Sequence, residues 1–216
     1  MLVYQEVPEG TITTGALVGL HGRGGDLDQL APLARELAGI QLIAPQAPRP
    51  VSPITQGDAV GSGGFTWFFI QDVGRPEPAT FGESLWLVEQ FVLDVREREP
   101  PGRPIVLAGF EQGAVLAVTL AAVVPEALAG VAAICGYLPD IFGWTPPIED
   151  LGALPILLVH DPDDAEIPLA LVESTVEELR RRHAVVTGLQ VPGARLTPIA
   201  AASVLKKWVD ALISEK

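Results

Sequence analysis

The chain alternates short unbroken apolar runs with longer stretches in which apolar residues recur every three or four positions. Leu2 to Val7 reads as a first strand, closed by Pro8-Glu9-Gly10. Ala16–Leu20, Ile40–Ile43, Ile105–Ala108, Val131–Cys135 and Pro155–His160 are nearly free of polar residues, the pattern of strands buried on both faces. Between them lie helical stripes. One starts near Leu27, where Asp26 can cap it, and puts Leu30, Leu33, Ala34 and Leu37 on one face. A second runs from Phe81 to Glu99 with Phe81, Leu85, Val88, Val92 and Val95 in register, and Pro100-Pro101 stops it. A third covers Ala114–Val124, and two more are expected over 168–183 and 198–214, with a strand near 185–191 between them. Residues 45–66 and 136–153 are long loops rich in Pro, Gly and aromatic residues, and a loop of that length in a compact domain is usually functional. Strands alternating with helices predict an α/β fold with a mostly parallel central sheet, helices on both faces and right-handed crossovers. No internal repeat or shift of composition divides the chain, so 1–216 reads as a single domain.

The chemistry concentrates in Leu107-Ala108-Gly109-Phe110-Glu111-Gln112-Gly113. An apolar strand leads in, a helix leads out, and G-x-E-x-G lies between. That is the shape of a nucleophile elbow, a tight strand-to-helix turn that presents one side chain at the top of a sheet. The flanking glycines suit a turn that packs backbone on backbone. The motif normally carries Ser at its centre; here it carries Glu111.

Composition narrows the partners. Net charge is −13, from 27 acidic and 14 basic residues, so nucleic acid is not expected, because phosphate contacts need clustered Lys and Arg. The one cysteine, Cys135, cannot form an internal disulfide, which fits a reducing compartment. No charged segment followed by an apolar one opens the chain and no apolar stretch is long enough to span a bilayer, so a cytoplasmic location without membrane insertion is expected.

Several motifs in order carry a resemblance: Leu20-His21-Gly22-Arg23-Gly24-Gly25-Asp26, Ala44-Pro45, Gly63-Gly64 with Trp67-Phe68, Gly109-Phe110-x-Gln112-Gly113, and Gly136-Tyr137-Leu138-Pro139. His160-x-x-x-Asp164 with Ile167-Pro168, and Gly193-x-x-Leu196-Thr197-Pro198, complete the set. Together they resemble the carboxylesterase/phospholipase branch of the α/β-hydrolase superfamily, which includes acyl-protein thioesterases. The resemblance implies a single-domain, lidless α/β hydrolase acting on small acyl-type substrates, without a cofactor. Members often form homodimers, so that assembly is open to this chain.

The resemblance also implies a Ser…Asp…His triad. Its Asp position falls on Asp164, its Ser position on Glu111 and its His position on Ala194, so the acid is kept and the other two are replaced. The oxyanion donors it implies are the backbone N–H groups of Arg23 and Gln112, which survive side-chain change. Ordinary serine hydrolysis is therefore expected to be nearly lost. Two readings follow. Glu111 serves as a general base or a carboxylate nucleophile in a repurposed or deliberately altered site, within an apolar pocket formed by Phe65, Trp67, Phe142 and Trp144 that would raise its pKa. As a nucleophile it would stall, because no His remains to activate the water that cleaves the ester. Alternatively the chain is a non-catalytic pseudoenzyme that binds an acyl group or small molecule. Arg195, beside the vacated His position, is placed to pair with Asp164 or Glu111.

The remaining candidates have structural explanations. His21 and His160 are expected to be satisfied by backbone bonds, and His183 among Arg180–Arg182 to lie at a solvated helix end. Asp161, Asp163 and Asp164 read as loop caps rather than as a metal site, since hard cations need several more converging oxygens. Cys135 reads as a buried strand residue.

Overall fold

The apolar runs become the strands of one sheet. A computed structural model describes residues 2–7, 14–37, 39–51, 63–192 and 196–214. The expected turn at Pro8–Gly10, residues 52–62 of the 45–66 loop, and Gly193, Ala194 and Arg195 lie outside the described residues. In chain order the elements are β1 (Tyr4–Val7), β2 (Gly15–Leu20), α1 (Ala31–Glu36), β3 (Ile40–Pro45), β4 (Arg49–Val51), β5 (Gly64–Thr66), β6 (Ile70–Asp72) and β7 (Arg75–Pro76). They continue as α2 (Pro78–Arg98), β8 (Ile105–Phe110), α3 (Gln112–Ala121), β9 (Gly130–Ile134), β10 (Pro155–His160), α4 (Leu169–Arg181), β11 (Val185–Gln190) and α5 (Pro198–Ser214).

The main sheet has seven strands in the order β1-β3-β2-β8-β9-β10-β11, parallel except for β1, which runs against β3. β2, β3, β8 and β9 are buried along their whole length, because helices cover both faces. On one face Phe81, Val88 and Val92 of α2, Ala114–Val118, Leu120 and Ala121 of α3 and Leu179 of α4 form one core. On the other, Leu33 of α1 with Ala201, Leu205 and Val209 of α5 form a second. Every residue of α3 is buried, which explains why this helix shows no polar stripe.

Helix starts depart from the expected positions for local reasons. The segment after Asp26 is not one helix. Asp26 caps a 3₁₀ turn, Leu27–Gln29, accepting from Asp28 N at 3.0 Å, and α1 begins anew with Pro32 in its first turn. α2 begins at Pro78, ahead of the expected Phe81. The Glu77 carboxylate caps it, accepting from Ala79 N at 3.0 Å and Thr80 N at 2.7 Å. The 45–66 connection is not wholly loop, since β4 and β5 pair antiparallel within it.

Candidate functional site

In a parallel sheet the carboxyl ends of the strands share one edge, and ligands bind there. The segments after β2, β8, β9 and β10 meet at that edge. Glu111 follows β8, the central strand, and has φ 49° and ψ −114°. A non-glycine residue rarely adopts that conformation, and it marks a turn held by its surroundings. Glu111 N donates to Ile134 O at 3.0 Å, and Glu111 O accepts from Val115 N at 3.0 Å, so both backbone groups are tied down. The side chain is half-buried and lies over the Gly22 turn, where a Cβ would stand 2.8 Å from its Oε2.

A cleft of about 320 Å³ opens at this point, near the lower end of small-molecule sites. Arg23, Glu111, Gln112 and Asp164 all line it, so it brings together four of the residues singled out in the sequence. The aromatic wall is different from the one expected. Trp67 is fully buried in the core, donating its indole N–H to His21 O at 2.9 Å. Phe65 acts through its backbone, pairing with Gly24 and Gly25. Phe142, 94% exposed, and Trp144 line a separate cleft beside Trp86 of α2. The apolar lining next to Glu111 comes instead from Phe68, Ile70, Val73, Val115, Tyr137 and Ile167. β6 and its turn to β7 supply two of these, and such short strands leave little signal in a sequence.

The segment after β2 is rigid. Gly22 N donates to Gln29 Oε1 at 2.8 Å, and Gly24 N to Phe65 O at 2.9 Å. The Gln112 side chain is a clamp that sequence reading missed. Its Oε1 accepts from Thr66 Oγ1 at 2.8 Å and Trp67 N at 3.0 Å, and its Nε2 donates to Phe68 O at 2.8 Å. Its backbone N–H belongs to the first turn of α3, whose N–H groups have no acceptor inside the helix. Nearby, Arg49 reaches the Trp67 carbonyl, Ser84 and Glu83, joining β4 to α2.

Two histidines behave differently. His21 is satisfied at both nitrogens: Nε2 accepts from Ala47 N at 3.0 Å, and Nδ1 lies 2.7 Å from Gly22 O. Burial lowers its pKa from the ordinary value, opposed by the Gly22 carbonyl and Asp26. The folded protein thus holds His21 neutral at a pH where the unfolded chain takes up a proton. Its contribution is complete above the ordinary pKa of about 6.5 and is lost as pH falls below it, by up to about 1.4 kcal/mol per pH unit. Urea midpoints measured between pH 7.5 and 5 should fall, and fall less in His21→Gln. His160 does not match its expected backbone satisfaction: neither ring nitrogen has a hydrogen-bond partner among the described residues. Burial lowers its pKa too, opposed by Asp164, Asp161 and the Ile167 backbone.

The acidic loop after β10 caps itself. Asp161 Oδ1 accepts from Asp163 N at 3.0 Å, and Asp164 Oδ1 from Glu166 N at 2.8 Å and Ile167 N at 3.0 Å. Cys135, with φ 54°, is buried beside this loop. Burial, with the charge of Asp164, pushes its thiol up to about 12, against a hydrogen bond from the Asp161 backbone.

A mostly parallel seven-stranded sheet, sandwiched by helices and carrying a strained strand-to-helix turn at a carboxyl-edge cleft, is an α/β hydrolase. Residues 7–195 match the profile of the phospholipase/carboxylesterase family, and the chain belongs to that family. Acyl-protein thioesterase 1 of Candida albicans is 28% identical over 142 residues, a match that covers 60% of this chain and 60% of that protein. A carboxylesterase from Mesorhizobium loti superposes with a TM-score of 0.77 at 24% identity, over 96% of this chain and 93% of its own. The Bacillus cereus carboxylesterase gives 0.79 at 17% identity, over 98% and 95%. Zea mays acyl-protein thioesterase 2 gives 0.74 at 19%, over 99% and 100%. At these identities the structural likenesses establish the fold. Among the described residues no helix is long and apolar enough to cross a membrane.

Proposed function

We propose that this chain is an esterase-derived hydrolase scaffold in which Glu111 occupies the seat of the nucleophile and acts as a general base toward a small acyl-type molecule. The carrying observation is the placement of Glu111. Its strained turn holds a carboxylate in a cleft with Asp164, beside Arg23 and Gln112. A carboxylate is not a hydroxyl, so the serine cycle is absent. What it can do is take a proton from a bound substrate. The backbone N–H groups of Arg23 and Gln112 would then receive the negative charge that develops. The thioesterase and carboxylesterase relatives support acyl compounds as the class that fits, and the apolar lining from Phe68, Val115 and Tyr137 agrees.

A carbon acid with an activated proton, such as a benzisoxazole, tests this reading. Base catalysis at Glu111 predicts a pH–rate profile with an inflection that vanishes in Glu111→Gln, with a rate loss of roughly 10²–10⁴-fold. A flat profile at the background rate, with the acyl compound still bound, would select the second reading, a non-catalytic acyl binder.

A further inference from the structure

Cys135 follows β9, His160 closes β10, and Asp164 stands in the loop after β10 that lines the cleft. The Cys135 sulfur, a ring nitrogen of His160 and a carboxylate oxygen of Asp164 all lie within 4.8 Å of one another. Cys135 is 3% exposed and His160 2%. Neither ring nitrogen of His160 has a hydrogen-bond partner among the described residues. An imidazole buried with no well-formed hydrogen bond at either nitrogen is rare in a native fold and asks for an explanation. A cation shared with the Cys135 sulfur and the Asp164 carboxylate would supply one.

We propose that Cys135, His160 and Asp164 bind a divalent metal ion of the zinc class. Sulfur, imidazole nitrogen and carboxylate oxygen form a mixed donor set that suits zinc and disfavours calcium or magnesium, which take oxygen. Bonds of about 2.0–2.3 Å set tetrahedral ligands about 3.3–3.8 Å apart, so the three side chains need close by no more than about 1–1.5 Å on binding. The metal–sulfur bond forms as the thiol loses its proton to solvent. Three protein ligands leave one tetrahedral position open, the form of a catalytic rather than a structural zinc. Of the three ligands Asp164 lines the cleft, and Glu111 borders the same cleft. The site stands whether or not Glu111 removes a proton from any substrate.

Cobalt titration of chelator-stripped protein tests the site without an activity assay. Because Cys135 is the one cysteine of the chain, any thiolate-to-cobalt charge-transfer band reports on it alone. The expected result is a near-ultraviolet band that saturates at one cobalt per chain and is displaced by stoichiometric zinc. Cys135→Ser should abolish the band, and His160→Gln should weaken zinc binding by at least about 100-fold, the upper range for loss of a mere supporting partner. Asp164→Asn, at the cleft rim, repeats the affinity test should either buried variant fail to fold. Absence of the band in the wild-type protein overturns the proposal, and so does wild-type zinc affinity in Asp164→Asn.

Discussion

Glu111→Ser and Ala194→His, introduced together, should restore cleavage of p-nitrophenyl acetate, at a rate at least about 100-fold above either single variant. The reasoning is structural at one position and rests on the family at the other. At residue 111 the backbone is fixed by Ile134 O and Val115 N, so a hydroxyl placed there inherits the same strained turn at the cleft. Asp164, Arg23 and Gln112 line the same cleft, so the acid that orients an imidazole and the two residues assigned to the oxyanion N–H groups stand at one place. The imidazole must come from position 194, which the order of family motifs selects. Serine without a base is a weak nucleophile, and a base without serine has nothing to activate, so each single change should stay near background. Initial rates at pH 8 on the four proteins decide the matter. If the double variant is no faster than the singles, the triad assignment is wrong.

Gly113→Ala should cost about 3 kcal/mol or more, from overpacking against groups that cannot yield. A Cβ at Gly113 would stand 2.3 Å from Leu20 O and 2.7 Å from His21 O, both backbone atoms of the segment leaving β2. Relief requires either α3 to withdraw or β2 to slide, and β2 is paired on both sides by β3 and β8. For a chain of this size the loss corresponds to a fall in Tm of roughly 6–12 °C. Gly82→Ala is the matching control. Gly82 is an interior residue of α2, and a Cβ there meets nothing within 4 Å. It should stabilise by about 0.5–1 kcal/mol, as Ala does over Gly in a helix. Equal effects at the two positions would refute the argument from close backbone approach.

Much of the architecture was legible because parallel strands covered on both faces must be apolar throughout. That is why the runs at 16–20, 105–108, 131–135 and 155–160 stood out, and each became a strand within a residue or two. The turn at Glu111 was legible because two glycines flank it where side chains have no room. The short pairs β4–β5 and β6–β7 were not, since two or three residues carry no periodicity. The cleft wall was misread for a similar reason. Trp67 and Phe142 are both large aromatics in loops, yet one is sealed in the core and the other is almost fully exposed. Composition does not distinguish these, because contacts far along the chain decide them. The nearness of Cys135 to His160 is of that kind, brought about by the pairing of β9 with β10.

The tethering of Glu111 through its main chain has a consequence for design. Hydrogen bonds from its own N–H to Ile134 O and from Val115 N to its carbonyl hold the conformation of that turn. Position 111 therefore works as a socket, offering different chemical heads one backbone-held spot at the cleft. A library varied at this single codon would sample several reaction types on one frame.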